Sequence, residues 1–283
     1  VSKSNGRVLL SGDSGTGKEV IARYIHSNST RARAPFVSIA CAGISPDEME
    51  EVLFGREGTE RGVEPGLLEQ AHGGVIYFDE VADMPLGTQS KILRVLVDQQ
   101  FHRVGGVDKV RVDLRVISST NHNLEADIEA ETFRQELYHR LNVVPIAVPS
   151  LEERREDIPL LADHFIAECN AHQGLSLRAL SDDASALMQT MIWPGNVRQL
   201  KNLIERVLIL SDGAGPIEAR ELPGEEDNSN EEGRVVLELH ALDELAKPLG
   251  QLRKVVRLVL AAQPHRRGED GSVRLGPLLG EVG

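Results

Sequence analysis

Two short clusters in the sequence carry the residue types and spacing needed to bind and cleave a polyphosphate. The first is Gly12-Asp13-Ser14-Gly15-Thr16-Gly17-Lys18, a G-x-x-x-x-G-K run. Its glycines let the backbone curl so that consecutive N–H groups point inward at phosphate oxygens. The start of a following helix adds partial positive charge, and the Lys18 ammonium reaches the β and γ phosphates. Glu19 stands where a Ser or Thr hydroxyl usually ligates Mg²⁺, so the metal must rely on other ligands. The second cluster is Asp79-Glu80, directly after the apolar run GVIYF (74–78). In an open α/β sheet, ligands gather at the carboxyl ends of strands. Asp79 is placed to hold Mg²⁺, directly or through water, and Glu80 to orient and deprotonate an attacking water.

Three further positions fit the same chemistry. Thr120-Asn121 ends another apolar run and offers polar side chains that can sense a γ-phosphate or position water. Arg134 and Arg140 lie in FRQELYHRL (133–141). Six residues apart, they do not share a helical face, and one or both can reach a neighbouring subunit's nucleotide as arginine fingers. In WPGNVRQL (193–200), Trp193-Pro194-Gly195 reads as a turn, Asn196 as a helix cap and Arg198 as a residue of the first helical turn. A cation is disfavoured at a helix N-terminus unless an anion is near, and ATP supplies one.

These residues need a frame to hold them. RVLLS (7–11), PFVSI (35–39), GVIYF (74–78), LRVISS (114–119) and VVPIAV (143–148) read as strands. KEVIARYIHS (18–27) and GTQSKILRVLVDQQ (87–100) read as helices between them. Strands alternating with helices predict an α/β fold with a parallel sheet flanked by helices, spanning residues 1–148. IPLLADHFIAECNAHQ, DDASALMQTMI and NVRQLKNLIERVLILS have helical spacing and predict a small all-helical domain over residues 149–222. GEEDNSNEEG (224–233) predicts an acidic linker, placed at 223–234, and residues 235–283 a helical C-terminal segment broken at Pro248-Leu249-Gly250.

Composition narrows the class. The chain has 283 residues, 41% of them hydrophobic and only 4% aromatic, so the core must be mostly aliphatic. Cys41 and Cys169 cannot form a disulfide framework and have no metal-ligand spacing, which points to the reducing cytoplasm. No apolar run approaches the ~20 residues that span a bilayer. A net charge of −13 argues against nonspecific DNA binding by the whole surface.

With these residues in place, a resemblance is dense and ordered. GDSGTGKE, PFVSIACA, VLFG, GLLEQAHGGVIYFDEVADMP, QSKILRVLVDQQFHRVGG, LRVISSTN, FRQELYHRLNVVPI, PSLEERREDIP and WPGNVRQL resemble the AAA+ central domain of sigma-54-dependent transcriptional activators over about residues 6–222. DEVADMP with KILRVLVDQQFHRVGG is most similar to the NtrX type, response regulators of nitrogen-linked two-component systems. The resemblance implies an AAA+ P-loop NTPase with a helical lid, ATP and Mg²⁺ as cofactors, and a ring oligomer, usually a hexamer, acting on sigma-54 RNA polymerase. It implies Gly12 through Glu19 on the nucleotide, Lys18 on its phosphates and Asp79 and Glu80 for Mg²⁺ and hydrolysis. It further implies Thr120-Asn121 as sensor I, Arg134 and Arg140 as fingers and Arg198 as sensor II.

Three departures shape the expectation. The GAFTGA loop, through which the family contacts sigma-54, is replaced by REGTERGVEP (56–65), as in NtrX-type proteins. Ala40 stands where the family often has an asparagine that couples the γ-phosphate to the catalytic glutamate. QLRKVVRLVLAAQPHRRGEDGSVRLGPLLGEVG (251–283) shows no clear helix-turn-helix for promoter DNA, so this segment reads as a degenerate or truncated DNA-binding region. A receiver domain, the partner of a sensor histidine kinase, is expected ahead of Val1. The expected function is an ATP-binding, hydrolysing core of an NtrX-like regulator; the alternative is a nucleotide-dependent oligomerisation switch with little hydrolysis.

Overall fold

The computed structural model describes residues 1–58, 62–211 and 215–223, all within one compact unit, Val1–Glu225. The acidic linker beyond Pro223 and the C-terminal segment 235–283 lie outside the described residues, as do residues 59–61.

Five strands form one parallel sheet in the order β2-β5-β8-β1-β9: β1 (Val8–Ser11), β2 (Phe36–Ala40), β5 (Val75–Asp79), β8 (Arg115–Thr120) and β9 (Val144–Ala147). Each lies within a residue or so of its predicted run. The three central strands are buried almost throughout, as expected of a parallel sheet with both faces covered. Alternation along the strands divides the core. Val8, Leu10, Val75, Tyr77 and Ile117 face α1 (Lys18–Ser27) through Ala22 and Ile25. Leu9, Ile76, Phe78 and Val116 face the other side, among residues of α2 (Pro46–Phe54) and α4 (Leu86–Asp98).

Two antiparallel hairpins interrupt this plan. β3 (Gly55–Gly58) pairs with β4 (Gly62–Pro65) within the REGTERGVEP stretch, and α3 (Leu67–Gln70) follows. β6 (Gln100–His102) pairs with β7 (Lys109–Arg111) after α4. Arg103 ties the two together: its guanidinium forks onto Glu69 at 2.9 and 2.7 Å and reaches Glu57 at 3.1 Å.

After β8 come α5 (Leu124–Glu129) and α6 (Gln135–Leu141). Beyond β9 the described chain is helical apart from an isolated bridge, Leu180 to Ile217. α7 (Ile158–Gln173), α8 (Asp182–Thr190) and α9 (Asn196–Leu210) enclose a second core around Trp193, Ile166, Leu200 and Ile204. Near its end, buried Arg178 pairs with Glu221 at 2.7 Å and also donates to the Gly215 and Pro216 carbonyls.

Candidate nucleotide-binding and hydrolysis site

Residues 12–17 form the turn between β1 and α1, and Lys18 is the first residue of the helix. Gly17 sits left-handed at the N-cap position (φ 97°). Gly15 (φ 77°) is constrained from both sides, because a Cβ there would collide with the Gly195 carbonyl at the start of α9. The Thr16 hydroxyl donates to the Asp13 carbonyl at 2.9 Å and closes the loop on itself. Lys18 is almost fully buried. Its ammonium donates to the Gly12 and Asp13 carbonyls at 2.8 and 3.1 Å and lies 3.0 Å from Glu80 Oε1. The Glu19 carboxylate is held by Arg23 one turn along at 2.7 Å.

Asp79 ends β5 and Glu80 follows it in a left-handed conformation (φ 52°). Glu80 Oε2 accepts the Asn121 backbone N–H at 2.7 Å, and the Glu80 N–H donates to Ser119 Oγ at 3.2 Å. Asp79 Oδ1 receives two hydroxyls, Ser119 at 2.6 Å and Tyr77 at 2.8 Å. Burial, together with the hydrogen bond to Asp79, holds the Tyr77 phenol well above its ordinary pKa, so it remains a donor. Cys41, just past β2, is buried beside Asp83, Asp79 and Glu80; burial first and those carboxylates second push its thiol up to about 12. Among the described residues no group of three or more His, Cys, Asp or Glu side chains is arranged to hold an ion alone. The residues fit Mg²⁺ arriving with phosphates: Asp79 Oδ2 accepts no hydrogen bond from the described residues, and Mg²⁺ is commonly bound through one or two carboxylates plus substrate phosphates.

A cleft of about 650 Å³ runs between the phosphate loop and the helices that follow the sheet, bordered by Lys18, Asp79, Glu80, His164, Arg198 and Lys201. Arg198 is in the first turn of α9 with its side chain exposed, and its N–H donates to the Gly15 carbonyl at 3.2 Å. Asn196 is not the expected cap. Gly195 takes the N-cap position, and Asn196, buried at φ 51°, accepts the Leu151 N–H at 2.7 Å and donates to the Ser14 carbonyl at 3.0 Å. Arg154 reaches the Thr16 carbonyl at 2.9 Å. Arg134 and Arg140 are exposed and border this cleft with no side chain; Arg134 Nε donates to the Leu86 carbonyl at 3.3 Å. The Thr120 hydroxyl accepts the His122 N–H at 3.0 Å, so of the Thr120-Asn121 pair the Asn121 main chain is what touches Glu80.

Sequence reasoning did not single out Ser119, Tyr77 or Arg154. The available signal was a hydroxyl side chain within a strand that leads to the site, Tyr77 in β5 and Ser119 in β8; Arg154 carried none.

The sigma-54 interaction domain family matches residues 1–147, just over half of the chain. The chain belongs to the sigma-54 interaction domain family. In this sigma-54 family member the AAA+ ATPase lid domain family also matches, over residues 152–237. The nitrogen assimilation regulatory protein NtrX of Azorhizobium caulinodans is 54% identical over 214 residues, covering 75% of this chain and 47% of that protein. The DNA-binding transcriptional regulator NtrC of Escherichia coli is 44% identical over 229 residues, covering 80% and 49%. The sigma-54 family chain thus spans about half the length of the curated relatives it matches. The crystal structure of NtrX from Brucella abortus in complex with ADP superposes with a TM-score of 0.74 at 51% identity, over 80% of this chain and 52% of that one. The same protein in complex with ATP gives 0.73. These likenesses establish the AAA+ fold. Among the described residues no helix is long and apolar enough to cross a membrane.

Proposed function

We propose that this chain is the ATP-binding and ATP-hydrolysing core of an NtrX-like two-component response regulator that controls transcription. The observation that carries the reading is the placement of Lys18 and Glu80 against one another in a cleft that Arg198 also borders. Backbone amides of residues 12–18 and the Lys18 ammonium bind the phosphates, and Arg198 adds positive charge. Asp79 presents Oδ2 to Mg²⁺. When bound there, Mg²⁺ would supply neutralisation of the charge that develops on the phosphates. Glu80, held through Oε2 by the Asn121 amide, orients the attacking water and takes its proton. Arg134 and Arg140, exposed and away from this cleft, act on a neighbouring copy's nucleotide in a ring taken to be hexameric. ATP and ADP in the Brucella NtrX crystals support the choice of nucleotide.

In this reading residues 1–148 form the α/β subdomain, 149–222 the lid, 223–234 a linker and 235–283 a segment toward promoter DNA. The protein works in the cytoplasm, a receiver domain answers a sensor histidine kinase, and RNA polymerase is the downstream partner, with sigma-54 contact weakened by the short β3–β4 hairpin.

A second reading, a nucleotide-dependent oligomerisation switch with little hydrolysis, is favoured by Ala40. It pairs with Asp79 in register at the end of β2 and has no side-chain amide to offer Glu80. Measuring ATP affinity and turnover on one sample separates the two. Robust turnover that Glu80→Gln abolishes supports the first; tight binding with negligible turnover across protein concentrations supports the second.

A further inference from the structure

Asp79 Oδ1 is the meeting point of two buried hydroxyls that no earlier role accounts for. Tyr77 is fully buried on β5, two residues before Asp79 and on the same face of the strand. Ser119 is fully buried on the neighbouring strand β8. Both donate to Oδ1, at 2.8 and 2.6 Å. A buried hydroxyl needs a partner, and that need alone is met by any acceptor. Here two donors from two strands converge on one oxygen of one carboxylate, and the other oxygen accepts no hydrogen bond among the described residues. Ser119 does more: with its proton committed to Asp79, its Oγ accepts the Glu80 N–H at 3.2 Å. One hydroxyl therefore links the two acids, and it supports the left-handed backbone at Glu80 (φ 52°).

We propose that Tyr77 and Ser119 are positioning residues for the divalent metal, locking the Asp79 carboxylate so that Oδ2 alone is offered to a Mg²⁺–nucleotide complex, and that Ser119 additionally sets the orientation of Glu80. This rests on the reading of the cleft as a nucleotide site. The physical basis is the same as in other metal sites, where groups hydrogen-bonded to a ligand fix its rotation and are needed for affinity. Without them Asp79 turns about its last side-chain torsion and presents either oxygen, so the ordering must be supplied when the metal binds. The two residues differ in consequence. Of the two acids, Tyr77 touches only Asp79. Ser119 touches both acids, so its loss acts on the metal and on the hydrolytic step.

The test uses the full chain with Mn²⁺ and ADP as probes, because ADP is not turned over and the readout is binding. Free Mn²⁺ is followed by electron paramagnetic resonance, and ADP affinity is measured separately by calorimetry in EDTA. Tyr77→Phe is expected to raise the Mn²⁺ dissociation constant in the ADP complex by about 10-fold or more, within the ~10–100-fold range of such outer partners, while metal-free ADP affinity stays at the wild-type value. Ser119→Ala is expected to do the same and, in an ATP assay at saturating Mg²⁺, to lower kcat further than Tyr77→Phe does; Ser119→Thr, which keeps the hydroxyl, restores Mn²⁺ affinity. A Mn²⁺ dissociation constant within about 2-fold of wild type in Tyr77→Phe, with ADP bound normally, overturns the proposal. Tyr77→Phe alone decides if Ser119→Ala fails to fold. Wild-type protein that binds no ADP sinks the nucleotide-site reading itself, a failure visible before any variant is made.

Discussion

The Lys18 ammonium lies 3.0 Å from the Glu80 carboxylate while two carbonyls of its own loop accept its other protons. The cation that should grip phosphates and the carboxylate that should activate water thus share a charge pair. A polyphosphate entering the loop competes with Glu80 for Lys18. Under the proposed function, binding and the release of Glu80 toward water are then one event.

Opposite outcomes follow for the two partners. Lys18→Ala is expected to abolish ATP binding, because the phosphates lose their buried cation and meet Glu80 unshielded. Glu80→Gln is expected to bind ATP at least as tightly as wild type, since the competing charge is gone, and to lose turnover by ~10²-fold or more. Calorimetric titration and a phosphate-release assay read the two quantities, and unchanged affinity in Lys18→Ala would refute the loop assignment.

Arg134 and Arg140 are predicted to act in trans. Alanine at either position should leave ATP affinity intact and reduce turnover, and the defect should be relieved by mixing the arginine variant with Glu80→Gln subunits that still supply arginines. Full turnover in both single variants shows that neither is a finger.

Asn196 joins the two halves of the cleft through the Leu151 N–H and the Ser14 carbonyl. Asn196→Ala leaves the buried Leu151 N–H unpaired and releases the part-buried Ser14 carbonyl, and should destabilise the chain by about 2 kcal/mol, read from denaturant midpoints, with weakened ATP binding as well. Arg198→Ala removes an exposed side chain and should weaken ATP binding with little loss of stability. Equal stability losses in the two variants contradict this division of labour.

The Arg178–Glu221 pair supplies a pH signature. The Arg178 guanidinium, followed by the Glu218 backbone hydrogen bond, holds the Glu221 carboxyl down at about 2, against an ordinary 4.5. A carboxyl depressed on folding stabilises the fold fully above the unfolded value, and that contribution is lost as pH falls toward the folded value. Glu221→Gln should therefore be less stable than wild type by about 2–3 kcal/mol at pH 7, with the gap closing between pH 4.5 and 2. A gap that stays constant over this range in denaturant titrations removes the pair from the account.

Much of the frame is readable from local pattern. The near-continuous apolar run Val75–Phe78 reads as a strand covered on both faces, and the G-x-x-x-x-G-K spacing marks the loop between β1 and α1. α2 was not read, although a Ser45-Pro46 start and a Glu48 capping box mark it, because its charged residues mask the buried Met49 and Leu53. Nor were the hairpins. β3 and β4 are glycine-rich and mostly exposed, with no alternation to read, and they are held by Arg103 from a distant part of the chain.

The sequence by itself determined that a phosphate loop, an acidic strand end and a helical lid exist, because each is written in residues a few positions apart. Only the tertiary structure decided which groups meet: Lys18 with Glu80, Ser119 and Tyr77 with Asp79, Asn196 with Ser14. Most of those pairings span dozens of residues, and even Tyr77 with Asp79 depends on the direction its hydroxyl takes. Periodicity and spacing record what a segment buries, whereas a hydrogen bond between distant segments depends on strand order, register and the angle at which the lid meets the loop.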